Sequence, residues 1–582
     1  MKNFYRRAID LIPSKNEIKK AICSFSKKEH YVFLILVAIF FISTLLILEN
    51  INKYFMVDVP IQGGSISEGI IGTPRFVNPI LAFSDADISL ISLVYSGLMR
   101  KNYDGILIPD LAEKYEVSKD GLQYTFILKD NIYFHDDEPV TPEDIIFTIE
   151  KIKDPITKSP KKGNWDGVNI EKIDEKTILF TLKQPFASFL ENTTLGIVPA
   201  RLWNNSSIEL NEANINPIGS GPYKIKSFSK QSNGTIDYFD LTYFKKFNLG
   251  KPYIKNITLR FYPNENELIA ALENGEVEQI SSVSPTNAQI LEEENFRVES
   301  SVLPRIFGLF FNQSQNQLFT DKNIIKAIDQ AIDKDRIVTQ VLSGYGIVID
   351  NPIPLNIINY QKLNKGNGIS HEEKLKNAET ILAKSGWTKN ADGFLEKTVT
   401  IKKKKNTTPL EFSISTSNVP ELAKAAELIK QDLESIGMKV NVKTFEIGNL
   451  NQLVIRPRKY DVLLFGQIIS HESDLYAFWH SSQRKDPGLN VAMYTNAKVD
   501  KILEEAFTTI DEQIRIKKYA QFEDEIQKDM PAIFLYSPDF IYVVSKDVQG
   551  FTMDHITNPE DRFLNSYLWF IKTDHIWKIF SK

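Results

Sequence analysis

His471 and Glu472 open an H-E-x-x-H pattern, the spacing that sets two imidazoles on one helix face to hold zinc beside a glutamate base, but Leu475 stands where the second histidine belongs. The metalloprotease pattern fails. His471, Glu472, Asp474 and His480 remain able to surround a cation if their stretch folds back on itself, against the plainer reading of four solvated loop residues. Gly250-Lys251 lacks the upstream glycine of a phosphate-binding loop and runs into Pro252, so this chain hydrolyses no ATP. Gly219-Ser220-Gly221 follows Ile218 and precedes Pro222-Tyr223, which is no nucleophile elbow. It is expected to be a hinge or tight turn, where glycine tolerates torsions other residues avoid. The acidic neighbours Asp136 and Asp137, and Glu292 to Glu294, read as loop or helix-face residues. No catalytic set is complete. The chain is expected not to be an enzyme and to use no cofactor and no metal.

Aromatics are the more informative class. Phe310, Phe311, Phe465, Tyr476, Phe478, Trp479, Tyr494, Phe534, Tyr536, Phe540 and Tyr542 fall in or beside predicted strand ends. Each alone reads as core. Interleaved with the amides Asn312, Gln313 and Gln467, they suit a large cleft that holds an organic ligand by apolar walls and a few polar contacts.

The elements that would position these residues are mixed α and β. Tyr124, Phe126 and Leu128 alternate, as do Ile178, Phe180 and Leu182, and both runs predict half-buried strands. Thr141-Pro142-Glu143-Asp144 supplies an N-cap, a proline at the first helical position and first-turn acids ahead of Ile145, Ile149 and Ile152. Phe412 and Ile414 predict a strand. Leu422, Ala426, Ile429, Leu433 and Ile436 then predict a helix closed by Gly437, and Met438, Val440 and Val442 a second strand. Further helices are expected at Lys322 to Ile337, Ser370 to Lys384, Val499 to Phe507 and Glu512 to Gln527. Lys402 to Lys405 is expected at a solvated hairpin tip.

The chain has 582 residues, 42% of them hydrophobic and 25% charged, with a net charge of −5. That is globular composition, and it leaves no global basic footprint for nucleic acid. Charge is uneven. Residues 1–30 hold eight basic residues (Lys2, Arg6, Arg7, Lys15, Lys19, Lys20, Lys27, Lys28) against three acids (Asp10, Glu17, Glu29). The uncharged run Tyr31 to Leu48 follows, close to the ~20 residues a helix needs to span a bilayer. Residues 1–30 are therefore expected as a cytoplasmic basic tail, 31–48 as a transmembrane segment, 49–61 as a linker, and everything beyond as extracytoplasmic. No small-residue cleavage pattern follows the run, and the only cysteine, Cys23, precedes it. An uncleaved signal anchor in the plasma membrane is expected, with an exported part free of disulfides and thiol chemistry.

Against this background the stretch Asn78 to Pro155 resembles the N-terminal signature of the family 5 extracellular solute-binding proteins, the receptors of peptide and nickel ABC importers. The resemblance is carried by Tyr95-Ser-Gly-Leu98, Pro109-Asp-Leu-Ala-Glu113, Asp120-Gly121, Phe134-His135-Asp136 and Thr141-Pro-Glu-Asp144 in order. It continues through Asn216 to Lys224, Ala331 to Val338, Tyr460 to Gln467 and Pro531 to Pro538. It implies an α/β, two-lobed periplasmic-binding-protein-like (type II) fold with an extra inserted domain, over residues 62–575. Lobe I would be about 62–90, 195–300 and 532–575, the extra domain about 90–195, and lobe II about 303–531.

The resemblance also implies an extended peptide pairing with strand backbone between the lobes. Carried onto this chain, the binding residues would be Leu464, Phe465, Gly466 and Gln467 on lobe II, Phe311 and Asn312 near the hinge, Tyr536 at the return crossover, and Asn78 and Tyr95 opposite. One departure matters. Many peptide-binding members carry an aspartate for the peptide's α-amine where this chain has Ile468, Ile469 and Ser470. Either Glu472 or Asp474 substitutes, or the ligand is not a free-amine peptide. The expected function is binding of oligopeptides or a related extended solute, delivered to the permease subunits of an ABC importer and their ATPase. The alternative is a non-transport surface receptor or envelope chaperone that kept the fold.

Overall fold

Central strands of the second lobe are buried on both faces, whereas alternation along the strands of the inserted domain buries one face only. The computed structural model describes residues 14–204, 207–355, 369–401 and 404–580, so residues 1–13 of the basic tail and Lys402 and Lys403 of the lysine run lie outside it. It divides into two units, Gln62–Ile571 and the chain ends Met1–Ile61 with Lys572–Lys582.

In the smaller unit, helix Lys15–Cys23 precedes helix Lys27–Phe55, which is long and apolar enough to cross a membrane. Ser26 and Glu29 cap its start reciprocally. The helix continues past Leu48 to Phe55, with Glu49 and Lys53 paired at 2.7 Å one turn apart. Strand Met56–Ile61 follows directly, antiparallel to Lys572–Trp577.

The larger unit is built on one continuous sheet of 12 strands. In one half lie Lys439–Phe445, Glu411–Ser417, Val462–Ile468 and Arg305–Phe311; in the other lie Gln279–Ser281, Ser65–Ile71, Asn256–Tyr262, Ile236–Tyr243 and Tyr223–Lys230. Strand Ala532–Val544 joins them. Its first part pairs with Phe307 to Phe310 and its last part with Arg297 to Val302. These halves are the two lobes, and Ser537-Pro538 lies where the shared strand passes from one to the other. In the second lobe Leu464 packs on one face with Leu309, Phe412 and Ile429, and Leu463 on the other with Phe310, Trp479 and Phe522. Strand Glu411–Ser417, helix Pro420–Ser435 and strand Lys439–Phe445 form a parallel βαβ unit, as the alternation and the 3.6-residue period predict.

The inserted domain is a four-stranded antiparallel sheet in the order Ala112–Val117, Gln123–Leu128, Thr177–Leu182, Val168–Lys172. Helix Pro142–Lys153 packs Ile145, Ile149 and Ile152 into the same core as Phe126 and Phe180. This domain reaches the second lobe, where Phe186 stacks on Phe507 at 4.9 Å and the Ala187 N–H donates to the Phe507 carbonyl at 3.1 Å.

Two local expectations are corrected. The helix predicted over Lys322 to Ile337 is two helices, Lys322–Ala331 and Lys334–Val341, separated at an extended Ile332. Asp333 ends the first by capping the second, its carboxylate accepting from the Arg336 N–H at 3.0 Å. Gly219 and Gly221 are not there for unusual torsions. A Cβ at Gly219 would lie 2.1 Å from the Val94 carbonyl oxygen and one at Gly221 2.6 Å from that of Leu93, so glycine is required by close backbone packing.

His135 clips that same turn. The Gly219 N–H donates to Nδ1 at 3.3 Å, which leaves Nε2–H to donate to the Gly221 carbonyl at 3.1 Å. The ring is thus held neutral, and burial pushes its pKa down from 6.5 to about 4. Between these values the unfolded chain binds a proton that the fold refuses, so this contribution is present above pH 6.5 and lost as pH falls towards 4. The loss amounts to about 3 kcal/mol. Urea titrations across that window are expected to show it in the parent protein and not in His135→Gln; equal pH dependence would refute the assignment.

Candidate functional site

The inserted domain, the first lobe and the second lobe meet around a cavity of about 320 Å³. Helix Asp85–Val94 supplies Ile88, Ile91 and Ser92; Tyr95, the C-cap, follows with its hydroxyl donating to the Val77 carbonyl at 3.2 Å. The inserted domain adds Lys161, Trp165 and Glu191, the second lobe adds His471, and the turn before Leu564 adds Glu560 and Asp561.

Charge is distributed unequally among these groups. His471 of the second lobe hydrogen-bonds Glu191 through Nδ1, and Lys101 approaches the same carboxylate at 3.4 Å. Burial alone would disfavour the imidazolium, but Glu191 outweighs it and holds the His471 pKa above its ordinary value. This ion pair links the two sides of the cleft. Asp561 is absorbed locally, accepting from the Thr557 and Asn558 N–H groups at 2.9 Å each. Glu560 has no ion-pair partner among the described residues. Burial, and then the adjacent Asp561, push its carboxyl up to about 7. Burial also lowers the Lys161 ammonium, opposed by the charge of Glu560.

A second cavity, about 500 Å³, lies in the second lobe at the carboxyl ends of Glu411–Ser417 and Val462–Ile468, the edge at which open α/β sheets bind ligands. Phe307, Phe465, Phe478, Leu450, Ile455 and Leu489 make it mostly apolar. Arg305 lines this cavity while its charge interacts with Asp85 and Glu560, so the two cavities are neighbours across the seam between the lobes. Gln467 also borders it, buried, with neither amide atom partnered among the described residues.

The predicted residues fall into groups. Phe465, Gly466 and Gln467 come together at the apolar cavity, and Tyr95 lines the charged one. Tyr536 is buried but stacks on Phe307 at 5.0 Å, one layer behind the apolar wall. Leu464 and Phe311 lie in the core of the second lobe, Phe311 against Phe319 at 4.9 Å. Asn78 is buried, donating to Asn214 at 3.1 Å and accepting from the Ile80 N–H at 2.7 Å. Asn312 donates to the Arg458 carbonyl at 2.8 Å.

The two acids considered for the ligand's amine are both engaged within the protein. Glu472 pairs with Arg515 at 2.5 Å, and Asp474 accepts from the Ser470 and His471 N–H groups at 2.8 and 2.9 Å. The cation site considered at His471, Glu472, Asp474 and His480 is dispersed among these pairings, and His480 turns its Nδ1 to Ser482 at 2.8 Å. No cluster of three metal-ligating side chains occurs among the described residues. No local sequence pattern marks Glu191, Glu560 or Arg305. Glu191 and its partner His471 are 280 positions apart, and only the tertiary fold brings them together.

Comparison with known proteins agrees with this architecture. The family model for bacterial extracellular solute-binding proteins, family 5 Middle, matches residues 107–487. The oligopeptide-binding protein AppA of Bacillus subtilis is 28% identical over 527 residues, 88% of this chain and 92% of that protein. Its crystal structure with a nonapeptide superposes with a TM-score of 0.65, covering 88% of this chain and 100% of that one. NikZ of Campylobacter jejuni, solved with Ni(L-His), superposes at 0.67 with 28% identity, covering 87% of this chain and 99% of the other.

Proposed function

Because the chain belongs to the bacterial extracellular solute-binding proteins of family 5, we propose that it takes oligopeptides or a related extended solute into the interlobe cleft and hands them to the permease subunits of an ABC importer with their ATPase. It is an extracytoplasmic binding protein of the ABC-importer type for peptides or related solutes, not an enzyme. In this reading the helix Lys27–Phe55 holds it at the outer face of the plasma membrane, with its N-terminus in the cytoplasm.

The observation that carries the proposal is the pairing of the two cavities. A charged chamber lined from both lobes adjoins an apolar one at the strand ends, which suits a ligand with an ionic end and an apolar remainder. Glu560 takes the ligand's ammonium, a role closed to Glu472 and Asp474 because both are engaged within the protein. Phe465, Gly466 and Gln467 border the path of the rest. A Cβ at Gly466 would meet the Phe307 ring at 2.7 Å, so any larger residue there requires that ring to move. Ligand binding favours the closed arrangement in which His471 meets Glu191.

Native mass spectrometry of the full chain, extracted gently from membranes of cells grown in rich medium, tests this. Co-purified peptide masses with free amino termini are expected. A cleft that stays empty in the presence of peptide pools would remove the import reading, and a bound non-peptide would redefine the ligand.

A further inference from the structure

We propose that the C-terminal segment Lys572–Phe580 is a second membrane contact, placing Trp577, Ile579 and Phe580 in the lipid headgroup layer beside the point where the helix Lys27–Phe55 leaves the bilayer. The inference rests on the reading of that helix as a tether. It draws on the smaller unit alone.

Residues 56–61 and 572–577 pair without interruption, Met56 opposite Trp577 and Ile61 opposite Lys572, so the end of the chain is carried back to the end of the helix. Trp577 stacks on Phe55 at 6.3 Å, and its indole N–H donates to the Asn52 side-chain oxygen at 2.7 Å. That bond sets its height. Asn52 lies four residues past Leu48, the end of the uncharged run, or about 6 Å along a helix rising ~1.5 Å per residue. The headgroup layer on one side of a bilayer is roughly 5–8 Å thick, so the indole lies within it.

The neighbouring side chains suit the same layer. Tyr54, Ile579 and Phe580 are 84%, 77% and 72% exposed, and Trp577 itself is 44% exposed. Helical Cβ atoms lean towards the N-terminus, so Tyr54 and Phe55 tilt back towards the apolar segment. An indole with one apolar face and one polar N–H is the side chain most at home at this depth, and a rim of such residues continuous with a spanning helix is the usual aromatic belt. Among the described residues of the smaller unit nothing covers this rim, and a lipid interface is the occupant continuous with the helix on which it sits.

Tryptophan fluorescence gives the test. Of the six tryptophans, Trp165, Trp203, Trp387, Trp479 and Trp569 are buried and Trp577 alone is exposed. The full chain is reconstituted into phosphatidylcholine vesicles whose acyl chains carry bromine just below the headgroups, and compared with unbrominated vesicles. A loss of at most about one-sixth of the emission is expected if the six tryptophans emit alike, and none in Trp577→Phe, which retains a ring to stack on Phe55. Flotation with the vesicles without quenching, or equal quenching in Trp577→Phe, would overturn the proposal and leave the tether standing. Failure to float would overturn the tether and the proposal together.

Discussion

Replacing Arg562 with methionine is expected to destabilise the larger unit by about 3–5 kcal/mol, because it strips the counter-charge from a carboxylate with no access to water. Arg562 and Glu68 are 1% and 0% exposed at their side chains. The guanidinium Nε and Nη2 both donate to Glu68 Oε1, at 2.8 and 2.6 Å, and the Tyr542 hydroxyl donates to Oε2 at 2.6 Å. Gln279 completes the group by donating to that hydroxyl at 2.7 Å. Without the arginine, two charge-assisted bonds vanish and the Glu68 carboxylate is left in the core without its counter-charge.

The double variant Glu68→Gln/Arg562→Met should recover part of the loss, since it removes both charges together. Lysine at 562 should not rescue fully, as an ammonium cannot reproduce the fork on the carboxylate. Thermal unfolding of the three variants measures this. A shift for Arg562→Met no larger than that of a surface substitution would show that the pair contributes nothing. The position bears on function as well, because the Nη1 of Arg562 donates to the Pro559 carbonyl at 2.6 Å and so holds the turn that presents Glu560.

Glu560→Gln is the second large effect. The variant keeps the shape of the side chain and removes the negative charge offered to a ligand ammonium, so affinity for a free-amine peptide is expected to fall by about 2 kcal/mol, or roughly 30-fold. An N-acetylated version of the same peptide should bind the parent and variant alike. Without a ligand ammonium beside it, burial and Asp561 push the Glu560 carboxyl up to about 7, so it is largely protonated at lower pH. Affinity for the free-amine peptide should therefore rise between about pH 5.5 and 7.5, a range in which an α-amine of pKa ~8 stays mostly charged. The rise should be absent in Glu560→Gln. Equal losses for free and acetylated peptides would place the amine elsewhere.

The parts of this protein that could be read from sequence are those whose signals are local. Phe412 with Ile414, and the apolar positions from Leu422 to Ile436, fall within one βαβ unit, and periodicity alone placed both strands and the helix. The break at Ile332 was hidden because the apolar period continues across it, while the competing Asp333 cap depends on a single carboxylate. Strand-end residues were harder still. Leu464 and Gln467 share a strand, yet one lies in the core and the other borders the apolar cavity, and which face meets solvent depends on how the sheet is covered. The charged chamber was least visible, because Glu191, His471 and Glu560 come from three distant parts of the chain. Resemblance indicated the neighbourhood of the cleft. That Glu560 is the acid left without an ion pair among the described residues is visible only in the fold.

One extended ligand carrying a free amine is expected to fill both cavities. Calorimetric titration of the ligand-stripped full chain with a defined oligopeptide, in free and N-acetylated forms at two temperatures, tests it most directly. Saturable one-to-one binding is expected, with a negative heat-capacity change from apolar burial and tighter for the free amine. Absence of binding heat for both forms across a range of peptide lengths, at both temperatures, would contradict it.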